Sequence, residues 1–135
     1  MPFVHGLVKQ LAVYERAPHD VITTPEMYAT DFADKRFDVF VAENEKEIVG
    51  MALYYWAYST WKGKYLWLED FIVREDFRKH GVGKLLFDTL LEECKKENVL
   101  QLKWQVLDWN EPAIRFYEKY DCEWQKGWLT YRIML

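Results

Sequence analysis

Between Tyr65 and Glu97 the apolar pattern changes period, from that of a strand to that of a helix. Tyr65 to Val73 is dense in apolar and aromatic residues, the composition of a strand. Gly83 to Glu97 instead carries Leu85, Leu86, Leu90, Leu91 and Cys94 on one helical face, with Lys and Glu opposite. Between them runs Val73-Arg74-Glu75-Asp76-Phe77-Arg78-Lys79-His80-Gly81-Val82-Gly83, basic towards its end and closed by two glycines. Strand, basic loop and amphipathic helix in that order point to a mixed α/β domain.

The flanking text agrees. Residues 3–16 read as an amphipathic helix, with Phe3, Leu7, Leu11 and Tyr14 at helical spacing and Val4 and Val8 beside them. Thr24-Pro25-Glu26 is a helix start, a hydroxyl cap followed by proline, and that helix ends near Ala33. Asp38–Glu43, Ile48–Tyr58 and Tyr65–Val73 are strand-like, separated by turns at Asn44–Glu47 and Trp61–Gly63, and make an antiparallel meander. Leu100–Val106 reads as a buried strand, Asn110-Glu111-Pro112 opens another helix, and Glu123–Leu135 reads as two short strands around Lys126-Gly127. The expected order is α-α-β-β-β-α-β-α-β-β, with no internal repeat or linker.

Composition narrows the function classes. The chain has 135 residues, half of them hydrophobic, which suits one well-filled domain spanning residues 1–135. A net charge of -4 gives no electrostatic footprint for nucleic acid. It suits cationic small molecules, and equally plain solubility. No apolar run reaches the roughly 18 residues of a membrane span, and no secretory signal opens the chain. Cys94 and Cys122 stand in no metal-like spacing, His5, His19 and His80 are scattered, and no metal is expected. Two unpaired thiols fit a reducing, cytoplasmic setting.

The basic loop carries the chemistry. Helix-start amides lack internal partners, and the helix dipole is positive at that end. With glycines allowing close approach and Arg78, Lys79 and His80 adding donors, the stretch suits a pyrophosphate. Taken alone, Gly-x-Gly is equally a basic surface turn. It is neither a dinucleotide fingerprint nor a P-loop, lacking the third glycine of one and the Gly-Lys-Ser/Thr of the other.

Arg78-Lys79-His80-Gly81-Val82-Gly83 resembles the R-x-x-G-x-G acetyl-CoA motif of the GNAT N-acetyltransferases. Leu68-Glu69-Asp70-Phe71 before it, and Val106–Pro112 and Phe116-Tyr117 after it, resemble the diamine (spermidine/spermine) acetyltransferase branch. Tyr58–Gly63 is more similar to the thialysine-acetylating members of that branch. The resemblance runs from about Val4 to Trp128.

That resemblance implies a GNAT-type, mostly antiparallel sheet with helices on both faces. It implies acetyl-CoA as donor, CoA as product, and direct attack by the amine of a small amino acid or diamine. The alternatives are a catalytically silent acetyl-CoA-binding domain or an acetyltransferase of protein or peptide amines. It further implies a pantetheine arm on the backbone of Phe71, Ile72 and Val73, and a pyrophosphate on Arg78, Lys79, His80, Gly81, Val82 and Gly83. Asn110, Pro112 and Ala113 would line the other side of the donor.

Acetyl transfer needs a base for the amine and an acid for the departing thiolate. Glu69 is the implied base; strand alternation alone would put it and Asp70 on opposite faces. Tyr117 is the implied acid, though a packing tyrosine fits the same helix text. Tyr14, Glu15, Trp61, Glu69, Asp70 and Trp128 match acceptor-site positions, where carboxylates and aromatic faces suit a cation. Trp61 can equally cover a turn and Trp128 a core.

Three departures from the family pattern stand out. The family's first strand is missing before the first helix, which would leave a sheet edge to be covered. Ser59 replaces an acidic residue of the polyamine enzymes, favouring a shorter acceptor. Asp121 stands where glycine is usual, so local left-handed strain is expected there. A homodimer is implied by the resemblance.

Overall fold

The computed structural model describes residues 1–135. They form two compact units, Met1–Gln105 and Val106–Leu135. In the first, α1 (Pro2–Tyr14) and α2 (Pro25–Ala33) precede β1 (Asp38–Asn44), β2 (Glu47–Ser59) and β3 (Gly63–Val73). Helix α3 (Val82–Lys96) and the short β4 (Leu102–Trp104) follow. The second unit holds one helix, α4 (Glu111–Tyr117).

The sheet order is β1-β2-β3-β4. β1 pairs with β2 and β2 with β3 antiparallel, while β3 and β4 run parallel. This is the mixed, mostly antiparallel sheet expected from the sequence. No strand precedes α1, and β1 forms a sheet edge. Alternation along the strands divides the core between two helices. Met51, Leu53 and Ile72 point to α1 and pack with Val4 and Leu7. Phe71 points the other way, its ring 6.0 Å from that of Phe87 on α3, and Phe87 also meets Trp104 at 5.3 Å. Helices therefore cover both faces. Gly50 makes the α3 face possible, because a Cβ there would meet the Ile72 carbonyl at 3.0 Å and Leu86 Cδ1 at 3.3 Å.

Two features of the sheet position the site. The first is a bulge in β3. Leu53 pairs with Asp70 but Tyr54 pairs with Leu68, so Glu69 is an extra residue in the ladder. The second is a splay. β3 pairs with β4 only from Leu66 to Leu68, and from Glu69 to Val73 it runs on without that neighbour.

Several local expectations are corrected. On α1 the buried residues are Val4, His5 and Leu7, while Phe3 is exposed, because the buried arc centres one position further round the helix. On α3 Leu85 is exposed and Phe87 takes its place in the core. β4 is three residues long, and Leu100 is exposed. Glu123–Leu135 contains no strand and is exposed throughout. Alternating apolar residues favour a pleated, half-buried surface, but a strand forms only where a ladder partner takes its backbone groups. Asp121 is not among the residues with positive φ, so the strain expected there is absent.

Candidate active site

β3 carries both halves of the site, acidic residues in its middle and the basic loop at its end. The bulge overrides simple alternation. Glu69 and Asp70 line one cleft of about 280 Å³ together with Tyr28, Asp31, Arg36, Phe37, Leu53 and Tyr55. Without the extra residue the two carboxylates would point to opposite faces.

The two acids differ in surroundings. Glu69 is exposed, and its Oε2 accepts a 2.7 Å hydrogen bond from Trp67 Nε1. Asp70 is half-buried. Burial first, then repulsion from Glu69 and Glu15, pushes its carboxyl up from 3.8 to about 7. Glu15, at the end of α1, is itself raised by burial. The phenol of Tyr28 is raised by burial against a lowering hydrogen bond from Thr23, and Asp70 and Glu69 raise it further. Tyr55 is raised by burial and by Glu69. The aromatic walls thus stand in the negative field of the acidic pair, a setting that favours a cation.

The wall on the α1 side is fixed by polar contacts. His5 Nε2 donates to the Thr23 carbonyl at 2.7 Å, and its ring meets Tyr28 edge-on at 5.1 Å. Thr24 caps α2, its hydroxyl accepting from Met27 N–H at 3.2 Å. These contacts seat Tyr28 and the segment before it.

Beyond Val73 the loop turns through Glu75–Phe77 into α3. Lys79 and Gly81 both adopt left-handed φ, 65° and 81°. Gly81 is the N-cap of α3 and offers no side-chain acceptor to the first amides. A Cβ at Gly81 would meet nothing within 4 Å, and Gly81 itself is exposed. Arg78, Lys79 and His80 are exposed. Helix-start amides, a helix dipole and three basic side chains fit the pyrophosphate of an acyl-CoA. Arg78 is tied back, its Nε donating to the Val73 carbonyl at 2.9 Å and its guanidinium 5.4 Å from the Tyr14 ring. Tyr14 therefore adjoins the basic loop, while its neighbour Glu15 acts on Asp70.

Phe71, Ile72 and Val73 lie on the splayed part of β3. Trp61 is 85% exposed at the β2–β3 turn and does not line the cleft. Ser59, where the acidic residue was missed, accepts from the Trp61 and Lys62 N–H groups and shapes that turn. In the second unit, Asn110 caps α4, its side chain accepting from Ala113 N–H at 3.4 Å, with Pro112 in the first turn. Tyr117 ends α4 and is buried, its ring 5.4 Å from that of Phe116. Trp128 lies in the exposed terminal segment.

Sequence reasoning missed Tyr28, Tyr55, Asp31 and Arg36. Tyr55 shares a face with Leu53 by alternation and could have been placed there. Nothing in the text of α2 or of the turn after it singles out the other three.

Residues 6–121 match the acetyltransferase (GNAT) family. The thialysine N-epsilon-acetyltransferase of Caenorhabditis elegans is 36% identical over 131 residues, covering 95% of this chain and 82% of that protein. The L-ornithine N5-acetyltransferase of Arabidopsis thaliana is 25% identical over 181 residues, covering 98% and 79%. Among solved structures, an aminoglycoside acetyltransferase from an uncultured soil metagenomic sample superposes with a TM-score of 0.81 over 98% of this chain and 88% of that one. At 19% identity that likeness speaks for the fold. With the family match over most of its length and the fold in agreement, the chain belongs to the GNAT family of acetyltransferases.

Proposed function

We propose that this protein moves the acetyl group of acetyl-CoA to the terminal amine of a small amino acid or diamine, by direct attack in a ternary complex. The observation that carries the reading is the single strand β3, which leads from an acidic, aromatic-walled cleft to an open basic loop. An ammonium seeks the first and a pyrophosphate the second. The thialysine and ornithine enzymes among its relatives act on amino acids that end in an amine.

In this reading residues 1–135 work as one catalytic domain. The amides and side chains from Arg78 to Gly83 hold the pyrophosphate. The backbone of Phe71, Ile72 and Val73 receives the pantetheine arm, with Asn110, Pro112 and Ala113 along the donor's other side. The donor supplies an acetyl thioester. Glu69, directly or through a water, takes a proton from the bound ammonium, and Asp70 beside it can hold that proton near neutral pH. The amine nitrogen bonds to the acetyl carbon as the carbon–sulfur bond breaks. Of the two protons the nitrogen gives up, one leaves through the acidic pair to solvent. Tyr117 gives its own proton to the departing sulfur, and the second proton from the nitrogen, passed through solvent, restores the Tyr117 phenol. Glu15, which acts on Asp70, is assigned to the acceptor end. A homodimer and a cytoplasmic setting complete the reading, the latter supported by the free thiols of Cys94 and Cys122.

The test is acetyl-CoA-dependent thiol release with thialysine, lysine, putrescine, spermidine, spermine and a lysine peptide. Release with a short amino acid or diamine is expected. Tight acetyl-CoA binding without release from any of them would reject the reading.

A further inference from the structure

The cleft that holds Glu69 and Asp70 is not uniformly acidic. At the α2 side it is lined by Asp31 and Arg36, one acid and one base. Their neighbourhood is fixed by the backbone. The Arg36 N–H donates to the Asp31 carbonyl at 2.9 Å and the Lys35 N–H to the Phe32 carbonyl at 3.0 Å. Lys35 adopts a left-handed φ of 58°. This pair of bonds around a left-handed residue is the Schellman ending of a helix. Glycine is the usual residue at the left-handed position. Here a lysine accepts the strain, and Asp31 and Arg36 are held together at one side of the cleft.

The cleft therefore offers two kinds of electrostatic surface. Glu69 and Asp70 suit a lone ammonium. Asp31 and Arg36 suit a group carrying both charges, since an ammonium can pair with the carboxylate and a carboxylate with the guanidinium fork. An α-amino acid with an amine at the end of its side chain has both groups in one molecule. A diamine has no carboxylate for the guanidinium, so its second ammonium, even when paired with Asp31, leaves Arg36 unanswered and meets it with like charge.

We propose that Asp31 and Arg36 read the α-ammonium and α-carboxylate of an amino-acid acceptor, and so select it over the corresponding diamine. The inference rests on the functional reading above and sharpens its substrate class. Arg36 acts as a specificity residue at the far end of the acceptor, away from the nitrogen that is acetylated.

The experiment compares lysine with cadaverine, its decarboxylated counterpart, in wild type, Arg36→Gln and Arg36→Lys. Wild type should prefer lysine. Losing one charge-assisted interaction should lower kcat/KM for lysine by about tenfold to a hundredfold, mostly through KM. The value for cadaverine should hold or rise, and Arg36→Lys should recover part of the lysine activity. Calorimetric titration of lysine into enzyme without donor should show the same loss of affinity in Arg36→Gln. Arg36 is exposed, so the variants are expected to fold, and matching unfolding curves check it. An equal change for both acceptors, or no change for lysine, overturns the proposal while leaving the acetyltransferase reading in place. Acetylation of neither acceptor by wild type overturns this inference, and the functional reading falls with it only where the whole panel of amines above is silent too.

Discussion

Replacing Asp70 by Asn should make the protein more stable at pH 8 than at pH 5, relative to wild type. Burial, with repulsion from Glu69 and Glu15, lifts the Asp70 carboxyl from 3.8 to about 7. Between those values the unfolded chain has released the proton and the native state still holds it. The native state then binds more protons, so stability falls as pH rises through the window and levels off above about 7. Each pH unit inside the window costs roughly 1.4 kcal/mol. The whole span, from 3.8 to about 7, comes to about 4 kcal/mol. Between pH 5 and pH 8 only the stretch from 5 to about 7 contributes, or about 3 kcal/mol. Asparagine has nearly the same shape and no charge at either pH. Urea unfolding of both proteins at both pH values gives the double difference directly, and groups that titrate alike in the two proteins cancel. Asp70→Asn should gain about 3 kcal/mol on wild type between pH 5 and pH 8. A double difference within about 0.5 kcal/mol of zero would show that Asp70 ionises freely in the fold, and the account of the cleft's field would be wrong.

Two further outcomes bear on the donor and the chemistry. Tyr117→Phe should lower kcat by about a hundredfold or more, the usual contribution of a proton donor, with donor binding nearly unchanged; unaltered kcat in steady-state assays would take the acid role from Tyr117. Gly81→Asp should weaken acetyl-CoA binding by at least about tenfold, because φ 81° strains any side chain and a carboxylate repels phosphate. Since a Cβ at Gly81 meets nothing within 4 Å, crowding by protein atoms adds little, and Gly81→Ala should show the strain alone in equilibrium binding.

The elements legible in the sequence are those whose pattern is set locally. The proline and hydroxyl at Thr24-Pro25 start α2 as the text predicts, and the Thr24 hydroxyl makes the expected bond to Met27 N–H. The meander follows the turns at Asn44–Glu47 and Trp61–Gly63 closely, because strand and turn residues alternate in short blocks there. The terminal segment fails for the opposite reason. Trp128, Leu129, Tyr131 and Ile133 have the composition of a strand, but a strand is a relation between two segments. Composition in one of them does not supply the other. The short β4 carries the same lesson, since only Leu102–Trp104 finds a partner on β3.

The acidic pair shows how one residue of register decides chemistry. Period-two reasoning places Glu69 and Asp70 on opposite faces, and by that rule only one of them could serve the cleft. The pairing of Leu53 with Asp70 and Tyr54 with Leu68 leaves Glu69 as the extra residue, and both side chains then reach the same space. The bulge places one carboxylate in solvent, bonded to Trp67, and the other half-buried beside it. Two carboxylates in adjacent positions thereby acquire different environments, and burial with its acidic neighbours lifts the inner one to about 7. A ladder without the bulge would give a single acid in the cleft, raised by burial and Glu15 but not by Glu69. The sequence carries the two acids in plain view. Their joint action depends on a register shift opposite Leu53 and Tyr54, which no feature within Leu68–Phe71 announces.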